Sequence, residues 1–299
     1  MLWLYITIFA VMFQTGRNTL QKHLKGKLDT ISVSWARVFF ILPILLFGLV
    51  YLYSNNTEIF SNLTVIFYIF CLLAGLSQIL GTLCLVELFA HRNFAVGVAY
   101  MKTDTIQVAI LAFLFLGESL PFVAILAVLL GVIGILMLSP RGLNLSLFKQ
   151  VFHKSVLLGL GVGLFLSIST IFMKKAMFLI GSDGLVLPVA IVFAVYTVMQ
   201  NILYIGYTTY HKILPQTMKL MFKEWKLCIL VGICSLLGTL CWLGAFYLQS
   251  VAYVKVVAQL EILLSFIITH KFFKEHLKTH EIYGILLLIA SIIVIIIEL

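Results

Sequence analysis

Apolar runs of about 20 residues recur along the chain, separated by short segments rich in polar residues, glycine or proline. Ten spans can be drawn, over residues 2–20, 31–53, 64–89, 95–116, 121–138, 155–173, 184–206, 226–247, 252–269 and 281–298. Most have the length a helix needs to cross the roughly 30 Å hydrocarbon core of a bilayer. No water reaches that core to satisfy a free peptide group, so helices are the expected spanning element. The opening stretch "MLWLYITIFAVMFQTGRN" has no basic segment and no small-residue cleavage site, so the first span reads as a permanent helix. Most breaks, such as "HRN", "GESLP" and "LQS", are short and leave little room for a soluble domain.

The pattern also repeats. Residues 81–84 and 238–241 both read "GTLC", an offset of 157 residues. Keeping that offset without a gap matches Gly75 with Gly232, Phe89 with Phe246, Ala95 with Ala252 and Glu118 with Glu275. The chain therefore reads as two five-helix halves, residues 1–140 and 150–299. With an odd number of spans in each, the second half enters the membrane upside down relative to the first. Inverted repeats of this kind are a mark of secondary transporters, whose substrate site lies near the bilayer midplane where the repeats meet. The expected architecture is an all-α integral membrane protein of ten transmembrane helices in two inverted repeats.

Composition agrees. Of 299 residues, 63% are hydrophobic and 10% charged, against about 25% charged in a typical soluble domain. The net charge of +9 then points to basic connections on one membrane face, not to nucleic acid. The five cysteines lie in apolar spans without metal-ligand spacing and read as packing residues.

Three stretches carry a family resemblance: "LGTLC…FLFLGESL" (80–120), "LLGTLC…KFFKEHL" (236–277) and "WARVFF" (35–40). They resemble the drug/metabolite transporter superfamily, specifically the EamA-type ten-helix permeases. The second copy has Lys274–Glu275 where the family usually has Gly–Glu. The resemblance extends over essentially the whole chain. It implies a permease fold, and an arginine at the position of Arg37 is common in the family.

Against the apolar background a few polar residues stand out. In "VAYMKTDTIQVAI" (98–110), Lys102 and Asp104 lie deep in the fourth span. The 157-residue offset sets Asp104 opposite Glu261 and Lys102 opposite Gln259. Ionisable groups at membrane depth cost a few kcal/mol and usually face a bundle interior or a water-filled path. On one continuous helix Tyr100, Asp104 and Gln107 share a face while Lys102 points about 160° away, so Lys102 and Asp104 are not expected to pair. Lys255 and Gln259 share a face in the second half, with Glu261 off it. On the first helix Gln14, Asn18 and Gln21 form a polar stripe beside Arg17. Gln78, Glu87 and Trp242 complete the cavity candidates, Trp242 as a surface on which an aromatic or cationic solute could stack. For Arg37 the expected role is an ion pair with an acidic helix end or a lipid phosphate. Polar residues of this kind can equally hold helices together through hydrogen bonds.

Other motifs are weak. "GLGVGLF" (159–165) follows no strand and reads as close helix packing, not a dinucleotide loop. His276 and His280 have i, i+4 spacing, but "HKFFKEHLKTHE" also reads as a solvated basic turn, and neither metal nor cofactor is expected. Without a nucleophile–base set or phosphate loop, no enzyme is expected.

Counting Lys and Arg by connection gives fourteen in the odd-numbered connections and two, Lys174 and Lys175, in the even-numbered ones. The positive-inside rule then places both termini outside, opposite to the habit of the resembled family. The expected function is secondary transport of small organic solutes by alternating access, with protons as a coupling ion, in a cell membrane of the bacterial inner-membrane type. The cavity is expected from the first, third, fourth, sixth, eighth and ninth spans. Rival readings are a lipid-linked-group flippase, a nucleotide-sugar exchanger, and a non-transporting scaffold or sensor.

Overall fold

A computed structural model describes residues 2–116, 133, 137, 154–181, 184–249, 251–258 and 260–297. In chain order its helices are α1 (Leu2–Lys25), α2 (Thr30–Phe39), α3 (Leu42–Asn55), α4 (Thr57–Ser61), α5 (Val65–His91), α6 (Phe94–Met101), α7 (Thr103–Leu116), α8 (Lys154–Phe178), α9 (Val186–Tyr210), α10 (Leu214–Lys223), α11 (Trp225–Leu248), α12 (Val251–Val257), α13 (Leu260–Lys271) and α14 (Thr279–Ile297). No strand occurs among the described residues. Five helical spans among them are long and apolar enough to cross a membrane: Thr30–Asn55, Val65–His91, Lys154–Phe178, Val186–Tyr210 and Trp225–Leu248. Of the expected fifth span, 121–138, only residues 133 and 137 are among those described.

The exposed surface is that of a membrane protein. On α1 the outward stripe is Leu2, Tyr5, Phe9 and Met12, each more than half exposed, while Thr7, Thr15, Asn18 and Gln21 are buried. Water would favour the reverse. A hydrocarbon environment leaves apolar side chains outside and drives polar ones to find partners within the bundle.

The chain forms two compact units, one of Met1–Leu83 with Ser169–Ser250, the other of Cys84–Ile168 with Val251–Leu299. Each unit thus takes segments from both expected halves.

In the first unit α1 lies along α11. Small residues permit the approach: a Cβ on Gly238 would meet Phe13 Cβ at 3.3 Å, and one on Gly16 would meet Cys234 Sγ at 3.7 Å. Asp29 caps α2, its carboxylate accepting from the Ile31 and Ser32 amides at 3.0 and 3.1 Å. The second span is interrupted at Phe40–Ile41, just ahead of Pro43 in the first turn of α3. Proline has no N–H to continue the ladder, so the break falls there. The break "TTYHKILPQTMKLMFKEWK" (208–226) between the seventh and eighth expected spans contains the amphipathic helix α10.

In the second unit the fourth and ninth spans, expected as continuous helices, are both divided. Lys102 stands between α6 and α7, its amide bonding to Val98 O and Ala99 O, both at 3.1 Å, while Thr105 N reaches Lys102 O at 3.2 Å. The ladder tightens to three-residue closures over this turn. Between α12 and α13, Glu261 N bonds Ala258 O at 3.1 Å in the same way. The boundaries recur at the sequence offset of 157: α5 and α11 end at His91 and Leu248, α6 and α12 start at Phe94 and Val251, α7 and α13 start at Thr103 and Leu260.

The start of α6 and the residues before it are held by the end of α13, the start of α14 and the connection between them. Glu275 Oε2 accepts from Phe94 N and Thr269 Oγ1 from Ala95 N, both at 2.9 Å. Asn93 Nδ2 donates to His276 O at 2.8 Å, and Arg92 pairs with Glu281 at 2.6 Å. Glu275 sits where the Gly–Glu motif has its glutamate. Its carboxylate satisfies an otherwise free amide at a helix N-terminus, where the dipole favours negative charge.

Candidate functional site: charge pairs at two helix breaks

The two breaks in the second unit bring four charges together. Lys102 Nζ lies 2.6 Å from Glu261 Oε2, and Lys255 Nζ pairs with Asp104 Oδ2. All four residues are buried. Each carboxylate occupies the first turn of the helix that follows its break, Asp104 on α7 and Glu261 on α13. The positive end of the helix dipole favours an anion there. Lys102 stands in its break and Lys255 in the last turn of α12, and each reaches the carboxylate of the other span. The helical angles between Lys102 and Asp104 agree with this: they do not pair with each other.

A packed wall surrounds the first break. Gly159 and Gly163 of α8 face it four residues apart. A Cβ on Gly159 would meet the Tyr100 ring at 2.2 Å, and one on Gly163 would meet Thr103 Oγ1 at 2.2 Å and the Asp104 amide nitrogen at 3.0 Å. The glycines of "GLGVGLF" therefore let α8 lie directly against the interrupted backbone, the close packing expected of them. Ser167 Oγ donates to Asp104 O at 2.9 Å, and Gln107 Nε2 donates to Leu160 O at 3.2 Å. Gln107 Oε1 is buried without a hydrogen bond. Tyr100 lies on α6 and Gln107 on α7, so the face they were expected to share with Asp104 is divided by the break. Tyr100 packs into the cluster of Leu88, Ala95, Val96, Ala99, Val156, Ile262 and Ile285. Gln259 lies outside the described residues.

Most of the remaining candidates fall in the first unit, with Glu87 and His276 in the second. Trp242 Nε1 donates to Gln14 Oε1 at 2.8 Å, and its ring stacks on Phe246 with centroids 5.5 Å apart. Arg17 donates to the neighbouring Asn18 Oδ1 at 3.3 and 3.4 Å. Gln78 Oε1 accepts from Ser169 Oγ at 3.1 Å. Arg37 does not form the expected ion pair: its guanidinium donates to Thr82 Oγ1 at 2.7 Å and Tyr196 Oη at 2.9 Å, with Nε unpartnered. Trp35 Nε1 donates to Asn201 Oδ1 at 3.0 Å and its ring stacks on Tyr204. Glu87, read as a cavity residue, instead pairs near the end of α5 with His91 at 3.1 Å and Lys154 at 3.3 Å. His276 sits beside the His270 ring, and among the described residues no group of three metal-type ligands occurs.

Thr103, Ser167, Gly159 and Gly163 are the neighbours of this centre that sequence reasoning did not assign to it. The glycine spacing was the available signal. What it packed against was not.

A comparison with solved structures aligns 99% of this chain with 98% of a chain described as "Crystal structure of protein", at a TM-score of 0.64 and 12% sequence identity. That likeness concerns the fold alone. No family model matches the sequence, and no curated protein matches it.

Proposed function

We propose that this protein is a secondary transporter of small organic solutes, an EamA-like permease built from two inverted five-helix repeats. The carrying observation is the pair of interrupted helices. Both break at positions related by the 157-residue offset, and each places a buried carboxylate in the first turn after the break. Discontinuous helices whose half-helix ends carry charge are how transporters of inverted-repeat design bind solutes and coupling ions. A buried ion pair also rarely earns its place through stability, because desolvating two charges offsets most of their attraction.

Contacts between connections support the alternating path of ten spans. Lys27, in the first connection, pairs with Glu224 of the seventh at 3.1 Å, and Arg92 of the third pairs with Glu281 near the ninth at 2.6 Å. Lys174, at the sixth, donates to Gln249 O of the eighth at 3.2 Å. Odd connections meet odd and even meet even.

In this reading Lys102–Glu261 and Lys255–Asp104 are the exchangeable contacts. A proton on a carboxylate, or a charged group on the solute, substitutes for one partner, and the helix halves at the break are freed to move. The protein acts in a cell membrane of the bacterial inner-membrane type, with the odd connections cytoplasmic.

The test begins with a thermal-shift screen of small organic solutes on the detergent-purified chain, since a ligand that binds the folded state stabilises it by mass action. Hits then enter counterflow assays in proteoliposomes. Solute-dependent uptake that a proton gradient alters supports the reading. Binding of no solute class, with no flux above protein-free liposomes, favours a scaffold or sensor.

A further inference from the structure

The connection between α9 and α11 carries a surface that the transport reading does not use. Both flanking helices are long and apolar enough to cross a membrane, so α10, ten residues tied between their ends, lies at the level where the hydrocarbon core gives way to headgroups. Its inner side is closed by buried Thr217 and Met221. Its outer side carries Lys219 and Lys223, four residues apart, with Lys212 before it and Lys226 after it, all four exposed. Aromatic rings frame these lysines: Tyr210 is 82% exposed, Phe222 55% and Trp225 48%. Lys226 Nζ lies 5.7 Å from the centre of the Trp225 ring. Aromatic side chains at this depth favour the headgroup region, and basic residues beside them meet lipid phosphates.

The charge there has no internal counterpart among the described residues. The stretch 207–228 contains one acidic residue, Glu224, and Lys27 holds it at 3.1 Å. The nearest acid in the adjoining first connection, Asp29, is occupied as the cap of α2.

We propose that Lys212, Lys219, Lys223 and Lys226, with Phe222 and Trp225, form a binding surface for anionic phospholipid. The lysines receive the headgroup phosphates and the rings seat at the acyl boundary. Attraction to an anionic leaflet grows with each added lysine near its surface and fades within a Debye length. The surface is independent of the charge pairs in the second unit.

The full-length protein, purified in detergent, is titrated with phosphatidylglycerol, with phosphatidylcholine, or with inorganic phosphate, and its melting temperature is followed. Phosphatidylglycerol is expected to raise the wild-type melting temperature, while the other two leave it unchanged. The K212Q/K219Q/K223Q/K226Q variant is expected to need at least about tenfold more phosphatidylglycerol for the same rise. The corresponding Lys→Arg variant retains the wild-type response. Equal titrations of the wild type and the glutamine variant would overturn the proposal, as would an equal response to phosphatidylcholine. A response reproduced by inorganic phosphate would show an anion site without lipid recognition and would likewise overturn it.

Discussion

At the scale of single residues, the sequence made one kind of statement well and another poorly. Lys102 and Asp104 do not pair, as expected, although the expectation assumed a continuous helix that the break at Lys102 divides. Their actual partners, Glu261 and Lys255, stand more than 150 positions away in the chain, and no local pattern encodes such a pairing. The same holds for Gln14, read as part of a polar stripe, and Trp242, read as a stacking surface: neither was legible as half of a hydrogen-bonded pair. The glycines on α8 give the sharpest residue-level prediction. Gly163→Ala places a methyl group 2.2 Å from Thr103 Oγ1 and 3.0 Å from the Asp104 backbone nitrogen, so a hydroxyl must turn and the backbone must shift. Overpacking of this kind costs about 1–3 kcal/mol, which thermal unfolding of the purified protein should register as a lower melting temperature. Gly206→Ala, on α9 with nothing within 4 Å of the new methyl, should leave it unchanged or raise it, because alanine favours helix by up to about 1 kcal/mol over glycine.

At the scale of elements, apolar length was legible, and five helical spans among the described residues are long and apolar enough to cross a membrane. Their interruptions were not legible. "VAYMKTDTIQ" contains neither glycine past Gly97 nor proline to mark the turn at Lys102, and its polar residues alone do not distinguish a broken helix from a continuous one. Only the break before Pro43 carried a local signal. The start of α6 offers a test at this scale. Glu275 accepts from the Phe94 amide, and removing a helix cap costs typically about 1 kcal/mol. Glu275→Ala should therefore speed hydrogen exchange at the first amides of α6, read by mass spectrometry, without altering exchange in α1 or α11. Unchanged protection at Phe94 would mean that the carboxylate does not cap the helix. Glu118, the counterpart of Glu275 by the repeat offset, lies outside the described residues.

For the whole molecule, the repeat was read from a sequence offset, and three pairs of helix boundaries among the described residues share that offset. The partition into compact units was not, because an internal repeat says which segments are equivalent and not which ones pack together. Each unit combines segments from both expected halves. The proposed orientation rests on charge alone. Single cysteines at Lys25, Lys219 and Lys274, in an otherwise cysteine-free chain, should be protected from an impermeant thiol reagent added outside intact cells, while one at Asn55 should react. The opposite pattern would reverse the topology that the basic connections imply.

The central claim is that the charge pairs at the helix breaks move with the transport cycle and are not only fasteners. Replacing both members of each pair separates the two roles, since an apolar or neutral substitute for a whole buried pair often leaves stability intact, whereas removing one partner costs about 3–5 kcal/mol. The decisive measurement is solute flux into proteoliposomes by the Lys102→Met, Glu261→Gln and the Asp104→Asn, Lys255→Met double variants, each first shown to melt near the wild-type temperature. The account predicts folded proteins whose flux falls at least about tenfold, equivalent to about 1.4 kcal/mol of lost coupling. Wild-type flux from both variants would contradict it and leave the four charges as structure alone.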